Sequence, residues 1–369
     1  MKEKIKTIQE KSVAFLMQHA QHGEQPPFSG GFNLHRGAGQ ADLYGMIDAA
    51  YILYTIGLLP QLTDRGSRAL WAEEILACQD AEGWFSLKNN RGHSQEHATA
   101  YALGALKLLS LEQDENYTAL IKPLRGLLPL LTEEKTFNRW ISSLNFKLTP
   151  KSILAKNTGW HYIWRGSHVG GGVAASIGMT QSLISEWWLE AVDVERWFSN
   201  YFRWLDAHVS ARTGYWQRAF WNLVVKQPTL IDLGGAVHFL WVYQAYGNPF
   251  PYPAAVIEST LALQKPSGLY QEHPYCIDLD GNFCLIRSFL QLDDHQKKNY
   301  RERVDQSVTM NFEAIAAELS SKDFTTIYDD SHGLPGALAA LIECCKLPEF
   351  RYQAEMDGWC NPLDRAWWL

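Results

Sequence analysis

The strongest chemical pattern in the sequence is a pair of carboxylates, Asp278 and Asp280, followed by Asn282. Two carboxylates at i and i+2 near a helix start can lie close together, and their repulsion raises one pKa. Burial would raise that pKa further and leave one group as a protonated general acid. The structural alternative is a helix cap beside a solvated aspartate. We predict that Asp280 and Asp278 are catalytic, with Tyr275 and Asn282 beside them in the substrate site.

A second pattern joins His93 and His97, which are four residues apart and therefore share a helix face. The spacing resembles that of metal ligands, but the zinc hydrolase pattern needs Glu directly after the first His. Here Ser94 holds that position, and Glu96 precedes the second histidine. We therefore expect no metal site. His93, Glu96 and His97 are predicted to line a substrate cavity as a hydrogen-bonded network.

A third pattern is Asp329-Asp330-Ser-His332. Adjacent carboxylates can coordinate Mg²⁺ that carries a diphosphate, or they can hold His332 in one tautomer. A plain acidic helix cap is the alternative. We predict His332 as the third catalytic residue and Asp329 and Asp330 as substrate-binding residues. No cofactor is expected, and Mg²⁺ would enter only with a diphosphate substrate.

His168 precedes three consecutive glycines, Gly170, Gly171 and Gly172. A glycine-rich helix start can bind an anion through its backbone amides. The P-loop residues Lys-Ser/Thr and a preceding strand are missing, which argues against a nucleotide site. The glycines are also explained by close helix packing. We include His168 among the substrate-binding residues.

The elements that must position these residues are helices. Apolar stretches of helical length are typical of helices covered on several sides, and the more charged stretches between them are amphipathic outer helices. The predicted inner helices are 43–59, 99–111, 173–192, 233–245, 283–292 and 334–345, and the predicted outer helices include 67–79, 194–210 and 252–264.

An internal repeat supports this organisation. Residues 76–85 match 261–270 in Leu, Ala, Gln and Gly at one offset of 185 residues. Each copy has an outer helix that ends in Gln, a turn with Gly, a loop and a polar start to an inner helix. We expect the turn aromatics and the polar residue before the 233–245 helix to face the substrate: Trp84, Trp160, Trp216 and Asp232.

Six such helix pairs predict an all-α fold, an (α/α)6 toroid of alternating outer and inner helices. All inner-helix starts would then lie at one end of the barrel. The alternative is an irregular solenoid of helical hairpins. We expect one domain over 1–369, with a lead-in helix at about 1–20 and an aromatic tail at about 346–369 that packs against the body.

Composition excludes several classes of protein. The 369 residues carry a net charge of −7 without a Lys/Arg block, which argues against nucleic acid binding. With 46% hydrophobic residues the chain is not disordered. No apolar run predicts a signal peptide or a transmembrane segment. Six cysteines without a CxxC pair favour reduced thiols and a cytoplasmic location. The 15 tryptophans favour an aromatic cavity for a small-molecule substrate.

The pattern Leu-x-x-Gln-x-x-x-Gly-aromatic resembles the repeats of the terpenoid cyclase and protein prenyltransferase superfamily, whose members are α/α toroids. The resemblance covers roughly residues 40–345. In class II terpene cyclases an Asp-x-Asp-Asp motif opens an inner helix, and its middle Asp protonates the alkene. Carried over, that residue is Asp280, with Asp278 as its partner and Gly281 in place of the last Asp. In the prenyltransferases an Asp-x-Cys and a His hold zinc; here Asp280 and His332 fall in similar positions, but Asn282 replaces the Cys.

Three functions follow from these observations. The first is a class II terpene cyclase-like enzyme, an isomerase or lyase, in which Asp280 protonates an isoprenoid and aromatic faces stabilise the carbocations. The second is a carbohydrate-active (α/α)6 lyase, hydrolase or epimerase that uses a carboxylate/His acid–base pair. The third is a non-catalytic helical scaffold. The sequence leaves the oligomeric state open.

Overall fold

The computed structural model describes residues 1–23, 25–37, 40–86, 93–144, 158–188, 192–216 and 227–369, without the side chains of 22 and 158–165. Within these ranges the protein is all-helical, with two isolated β-bridges and no strand. None of the described helices is both long and apolar enough to cross a membrane. The α-helices are α1 (Lys2–His19), α2 (Leu43–Thr55), α3 (Leu59–Leu62), α4 (Arg65–Ala77), α5 (Gln95–Leu109), α6 (Leu128–Thr132), α7 (Glu134–Ser143), α8 (Thr158–Met179), α9 (Gln181–Trp188), α10 (Val194–His208), α11 (Leu230–Tyr246), α12 (Pro253–Leu261), α13 (Cys276–Leu290), α14 (Asp294–Ser321) and α15 (Gly333–Glu343).

Six of these helices are apolar around most of their circumference, namely α2, α5, α8, α11, α13 and α15. Nearly every described side chain of α2, α11 and α15 is buried. Each of the six packs against the next in this order, and α15 packs against α2. The apolar helices therefore contact one another in a cyclic order.

The remaining long helices are amphipathic and cover the apolar ones. In α14 the buried residues include Val304, Val308, Phe312, Ile315 and Leu319. This spacing places one apolar stripe along a helix whose other face is polar. α14 packs on α13 and α1, and α12 packs on α13. The predicted difference between apolar and amphipathic helices is confirmed.

Several predicted helix boundaries are wrong. The helix predicted over 283–292 begins at Cys276, because Asp278 accepts a hydrogen bond from the Tyr275 backbone N–H and closes a capping box. The helix predicted over 99–111 begins at Gln95, because Ser94 is its N-cap. The helix predicted over 173–192 is divided into α8 and α9.

The turn predicted at Gly159–Trp160 is also wrong, because both residues belong to α8. The three glycines that follow lie inside the same helix. A Cβ at Gly172 would lie 2.7 Å from the Glu96 backbone of α5, and one at Gly171 would lie 2.9 Å from the His238 carbonyl of α11. Glycine is therefore required here because neighbouring helices approach the α8 backbone.

The two copies of the repeat make the same hydrogen bonds. The Gln79 side-chain amide donates to the carbonyls of Gly83 and Lys122, at 2.7 and 2.9 Å. The Gln264 amide donates to the carbonyls of Gly268 and Ser307, at 2.8 and 2.9 Å. All three positions in the second copy lie 185 residues after those in the first. In each copy the Gln side chain therefore links the turn that follows it to a later segment of the chain.

Gly268 gives a test of this turn. Its φ is +91°, and a Cβ there would lie 2.6 Å from the Met310 carbonyl oxygen. Gly247 has a similar φ of +78° but no atom within 4 Å of its Cβ position. We expect Gly268→Ala to lower the free energy of unfolding by about 2–4 kcal/mol, from left-handed strain plus overpacking. Gly247→Ala would introduce only the left-handed backbone strain and should lower the free energy of unfolding by about 1 kcal/mol. If urea unfolding shows equal losses of unfolding free energy for the two variants, the close approach of the Met310 carbonyl does not explain the need for glycine at position 268.

The chain segment 361–369 packs among the apolar helices. Trp368 is fully buried, and its carbonyl accepts a hydrogen bond of 2.6 Å from the Tyr51 hydroxyl in α2. A Cβ at Gly104 would lie 3.2 Å from Ala366, and one at Gly178 would meet the Trp367 ring at 1.9 Å. Small residues on α5 and α8 therefore make room for this segment.

Candidate functional site

Five histidines come together on four different parts of the chain. The ring centroids are 4.4 Å apart for His93 and His97, 4.4 Å for His97 and His168, and 4.6 Å for His168 and His238. His332 joins them at 4.8 Å from His93. We call these five residues the histidine cluster. It combines residues at the start of α5, in α8, in α11 and immediately before α15.

One carboxylate anchors the cluster. Asp48 of α2 is fully buried, and its Oδ1 lies 2.9 Å from His332 Nδ1. The Tyr101 hydroxyl donates to the same oxygen at 2.8 Å, and the Ser331 hydroxyl donates to Oδ2 at 2.7 Å. Because Asp48 accepts from all three groups, Nδ1 of His332 carries its proton. Nε2 of His332 is therefore the nitrogen left to act on a ligand.

The histidines differ in their pKa values. Burial lowers the pKa of His332, but the charge and hydrogen bond of Asp48 outweigh it and hold that pKa above its ordinary value. Burial lowers the pKa of His93 and of His238 to about 3. Burial also lowers the pKa of His97 well below the ordinary value, and the neighbouring histidines add to this effect. His332 is thus better suited than His93, His97 or His238 to gain and lose a proton near neutral pH.

Two tyrosines border the cluster on the α2 and α5 side. The Tyr44 hydroxyl is 3.1 Å from His97 Nδ1, and the Tyr44 ring is stacked on His93 at 5.3 Å. Tyr44 also meets His332 edge-on at 5.1 Å. Burial raises the pKa values of Tyr44 and Tyr101 well above the ordinary value, so both phenols stay protonated. They can donate hydrogen bonds but carry no charge.

Asp278 and the amide nitrogen of Asn282 are engaged in the packing of α13. Asp278 accepts hydrogen bonds from the backbone N–H groups of Tyr270 and Tyr275 and from the Asn311 amide. Burial raises its pKa to about 6 in spite of these bonds. The Asn282 amide donates to Asn311 and to the Ala340 carbonyl. These contacts give Asp278 the capping role that was the structural alternative.

Asp280 is in a different position. Its side chain is 2% exposed, and no described residue gives it a hydrogen bond. Burial raises its pKa well above the ordinary value, and the charge of Asp278 raises it further. Both effects favour the protonated form of this carboxyl group. No hydrogen bond or ion pair links it to His332 in the described structure.

The remaining predicted residues divide into those near the cluster and those away from it. Asp330 is half-buried and accepts the His332 backbone N–H at 3.1 Å. Burial raises the pKa of Tyr275, and the nearby charges of Asp330 and Asp48 raise it further. Glu96 is half-buried next to His97, and Asp329 is exposed.

Two tryptophans predicted to face the substrate are packed in the core instead. The Trp84 ring lies against Gly126, and Trp216 donates from Nε1 to the Leu205 carbonyl at 2.9 Å. Asp232 closes a capping box with Thr229 at the start of α11. The Trp160 side chain lies outside the described residues.

Sequence reasoning missed Asp48, His238, Tyr44 and Tyr101. Each is a polar or aromatic residue inside a long apolar stretch. The sequence did contain a signal for Asp48. A carboxylate inside an apolar helix must have buried partners.

Among the described residues, no group of three or more His, Cys, Asp or Glu side chains is arranged to hold a metal ion. His93 and His97 have nearly parallel rings, 9° apart, so they stack face to face.

No family model matches the chain, and neither a curated protein nor a solved structure matches it.

Proposed function

We propose that the protein is an (α/α)6 toroid and an acid–base enzyme that acts on a polyhydroxylated, carbohydrate-like small molecule. The cyclic order of contacts among the six apolar helices supports the toroid. The Asp48–His332 hydrogen bond carries the functional proposal, because a buried carboxylate that orients a histidine is the arrangement used for proton transfer. His332 keeps 19% of its side-chain surface exposed, which supports access by a ligand.

In this proposal His332 Nε2 accepts a proton from a carbon or hydroxyl group of the substrate. The charge of Asp48 stabilises the imidazolium that forms, and Tyr101 and Ser331 keep the carboxylate in place. The neutral rings of His93 and His97 and the Tyr44 hydroxyl offer hydrogen bonds to substrate oxygens. His332 then returns the proton, as expected for a lyase, a hydrolase or an epimerase. No cofactor is needed for these steps.

Asp280 favours a second candidate, the terpenoid cyclase-like enzyme. A buried carboxyl with a raised pKa and without a hydrogen-bond partner among the described residues is the kind of acid that protonates an alkene. Under this alternative Asp280 is catalytic and His332 is not.

A pair of variants separates the two functions. Wild type, His332→Gln and Asp280→Asn are incubated with a panel of neutral and acidic oligosaccharides and with a panel of isoprenoids, and products are followed by NMR. We expect turnover of a saccharide that falls by roughly 10²–10⁴-fold in His332→Gln. Asp280→Asn should retain it. Loss of isoprenoid turnover in Asp280→Asn alone would favour the cyclase. A folded protein inert toward both panels would favour the scaffold.

We also propose a cytoplasmic location. Cys284 and Cys344 are buried thiols without a disulfide, as is usual in reducing compartments.

A further inference from the structure

A cavity of about 250 Å³ lies between α11, α13 and the chain segment 363–367. Its lining includes the aromatic residues Trp241, Phe283 and Trp367, and none of its described lining residues belongs to the histidine cluster. An apolar cavity of about 150 Å³ is already large enough to hold benzene. The cavity therefore has room for one aromatic ring together with a polar group.

Arg287 lines this cavity and has one unused edge of its guanidinium group. Its Nε and Nη2 atoms donate to the Glu343 carboxylate, at 2.6 and 3.0 Å. Its Nη1 atom has no hydrogen-bond partner among the described residues, and it is not one of the fully buried polar atoms. The guanidinium carbon lies 5.6 Å from the centre of the Phe283 ring. Nη1 is therefore free to donate to an acceptor that lies beside these aromatic residues.

The charged groups at the cavity leave an excess of one positive charge. Arg287 is paired with Glu343, and Asp364 of the lining is paired with Lys346. Arg365, which also belongs to the lining, donates to a backbone carbonyl, and no described carboxylate forms an ion pair with it. Three cations thus face two carboxylates, so a ligand with one negative charge would balance the site.

Gln244 of α11 gives the cavity a second polar side chain without a hydrogen-bond partner among the described residues. Its amide can donate to the same acceptor as Arg287. Gln244 and Ala245 lie in the last turn of α11, whose free carbonyls favour a cation. That preference is weaker than a hydrogen bond from a charged guanidinium to a carboxylate.

We propose that the cavity beside Arg287 is a binding site for a small aromatic carboxylate. The carboxylate accepts hydrogen bonds from Arg287 Nη1 and from the Gln244 amide, and the aromatic ring lies among Trp241, Phe283 and Trp367. This site does not rest on the proposed function, because it uses no residue of the histidine cluster.

The first test uses benzoate as the probe, with benzamide and benzylamine as neutral and cationic analogues of similar size. By calorimetry on the full chain, benzoate is expected to bind about tenfold or more tightly than either analogue. In ¹⁵N spectra benzoate should shift the indole N–H resonances of Trp241 and Trp367. The resonance of Trp71, which is buried against Phe32, should stay in place. The proposal is wrong if benzoate does not bind, or if an analogue binds as tightly.

A double variant tests the role of the guanidinium. Arg287→Met with Glu343→Leu removes both partners of the buried pair, so the net charge is unchanged and no buried charge is left unpaired. Benzoate affinity should fall about tenfold. Arg303→Met with Glu258→Leu is the matched control, because it removes an exposed ion pair of the same kind. Equal benzoate affinities in the two double variants would overturn the proposal.

Gln244→Glu is a second variant that keeps the test decisive if the first double variant does not fold. Gln244 is only partly buried, and the change adds a negative charge to the cavity while the side-chain length stays the same. Benzoate affinity should fall about tenfold or more because like charges repel. Gln61→Glu adds the same charge at an exposed position in α3 and should have little effect. A benzoate affinity that Gln244→Glu leaves unchanged would contradict binding in this cavity.

Discussion

Asp48→Asn is expected to reduce turnover by roughly 10²–10⁴-fold while the protein remains folded. The asparagine amide would bring its own N–H donors toward Tyr101 and Ser331, which both donate to Asp48 in the native protein. It would also remove the charge that favours the imidazolium form of His332. A wrong tautomer and a weaker base are the physical reasons for the loss.

The pH dependence follows from the same pair. The pKa of His332 is raised above about 6.5 in the folded protein. Its protonated form therefore stabilises the fold fully below the unfolded value, and this contribution is lost as the pH rises through the folded pKa. Turnover that needs the neutral base should rise over the same interval. In Asp48→Asn the pH midpoint of turnover and the pKa of His332 should both move to lower pH.

Two measurements check this prediction. The pH profile of turnover gives one midpoint, and an NMR titration of the His332 ring gives the other without any substrate. Asp357→Asn is the control, because it removes the same charge from an exposed position. An unchanged His332 midpoint in Asp48→Asn would show that Asp48 does not set the pKa.

Glu343→Ala is expected to lower the free energy of unfolding by about 3–5 kcal/mol. Glu343 is fully buried, and its carboxylate accepts two hydrogen bonds from Arg287, at 2.6 and 3.0 Å. Asn361 also donates to it, which ties the segment 361–369 to α15. The large cost arises because Arg287, whose side chain is only 12% exposed, would keep its charge without the main partner.

Two controls separate this effect from a general loss of charge. Arg287→Met with Glu343→Leu removes both charges, and this double variant should be clearly more stable than Glu343→Ala. Glu258→Ala breaks an exposed ion pair with Arg303, with side chains 48% and 50% exposed. It should cost less than about 1 kcal/mol. Urea unfolding of the four proteins tests the ranking, and equal losses for Glu343→Ala and Glu258→Ala would contradict it.

The helices were largely predictable from the sequence, because apolar periodicity reports burial directly. The equivalence of Gln79 and Gln264 was also predictable from the sequence. Each Gln bonds to the carbonyl of a glycine four residues later, and so short a spacing repeats in the sequence itself. Helix starts were less predictable. Ser94 and Asp278 lie upstream of the apolar stretches, and capping rather than hydrophobicity decides where α5 and α13 begin.

The site was predictable only in part. His93, His97, His168 and His332 were candidates from the sequence, and the structure brings them together. Asp48 was missed because its partner is 284 residues away, and sequence spacing carries no information about such a contact. Asp278 was given a chemical role because a capping aspartate and a catalytic aspartate look alike in the sequence.

The bond between Asp48 and His332 has a consequence for biosynthesis. Asp48 is translated 284 residues before His332, which lies immediately before α15. A nascent chain that ends before α15 leaves the Asp48 carboxylate without His332 and Ser331, and α2 without the helix that packs on it. Such an intermediate holds an apolar surface and a carboxylate that keeps only the Tyr101 hydroxyl as a partner, which are features that chaperones and proteases act on. The acid–base pair therefore exists only after α2 has met the segment immediately before α15, so it forms late in folding.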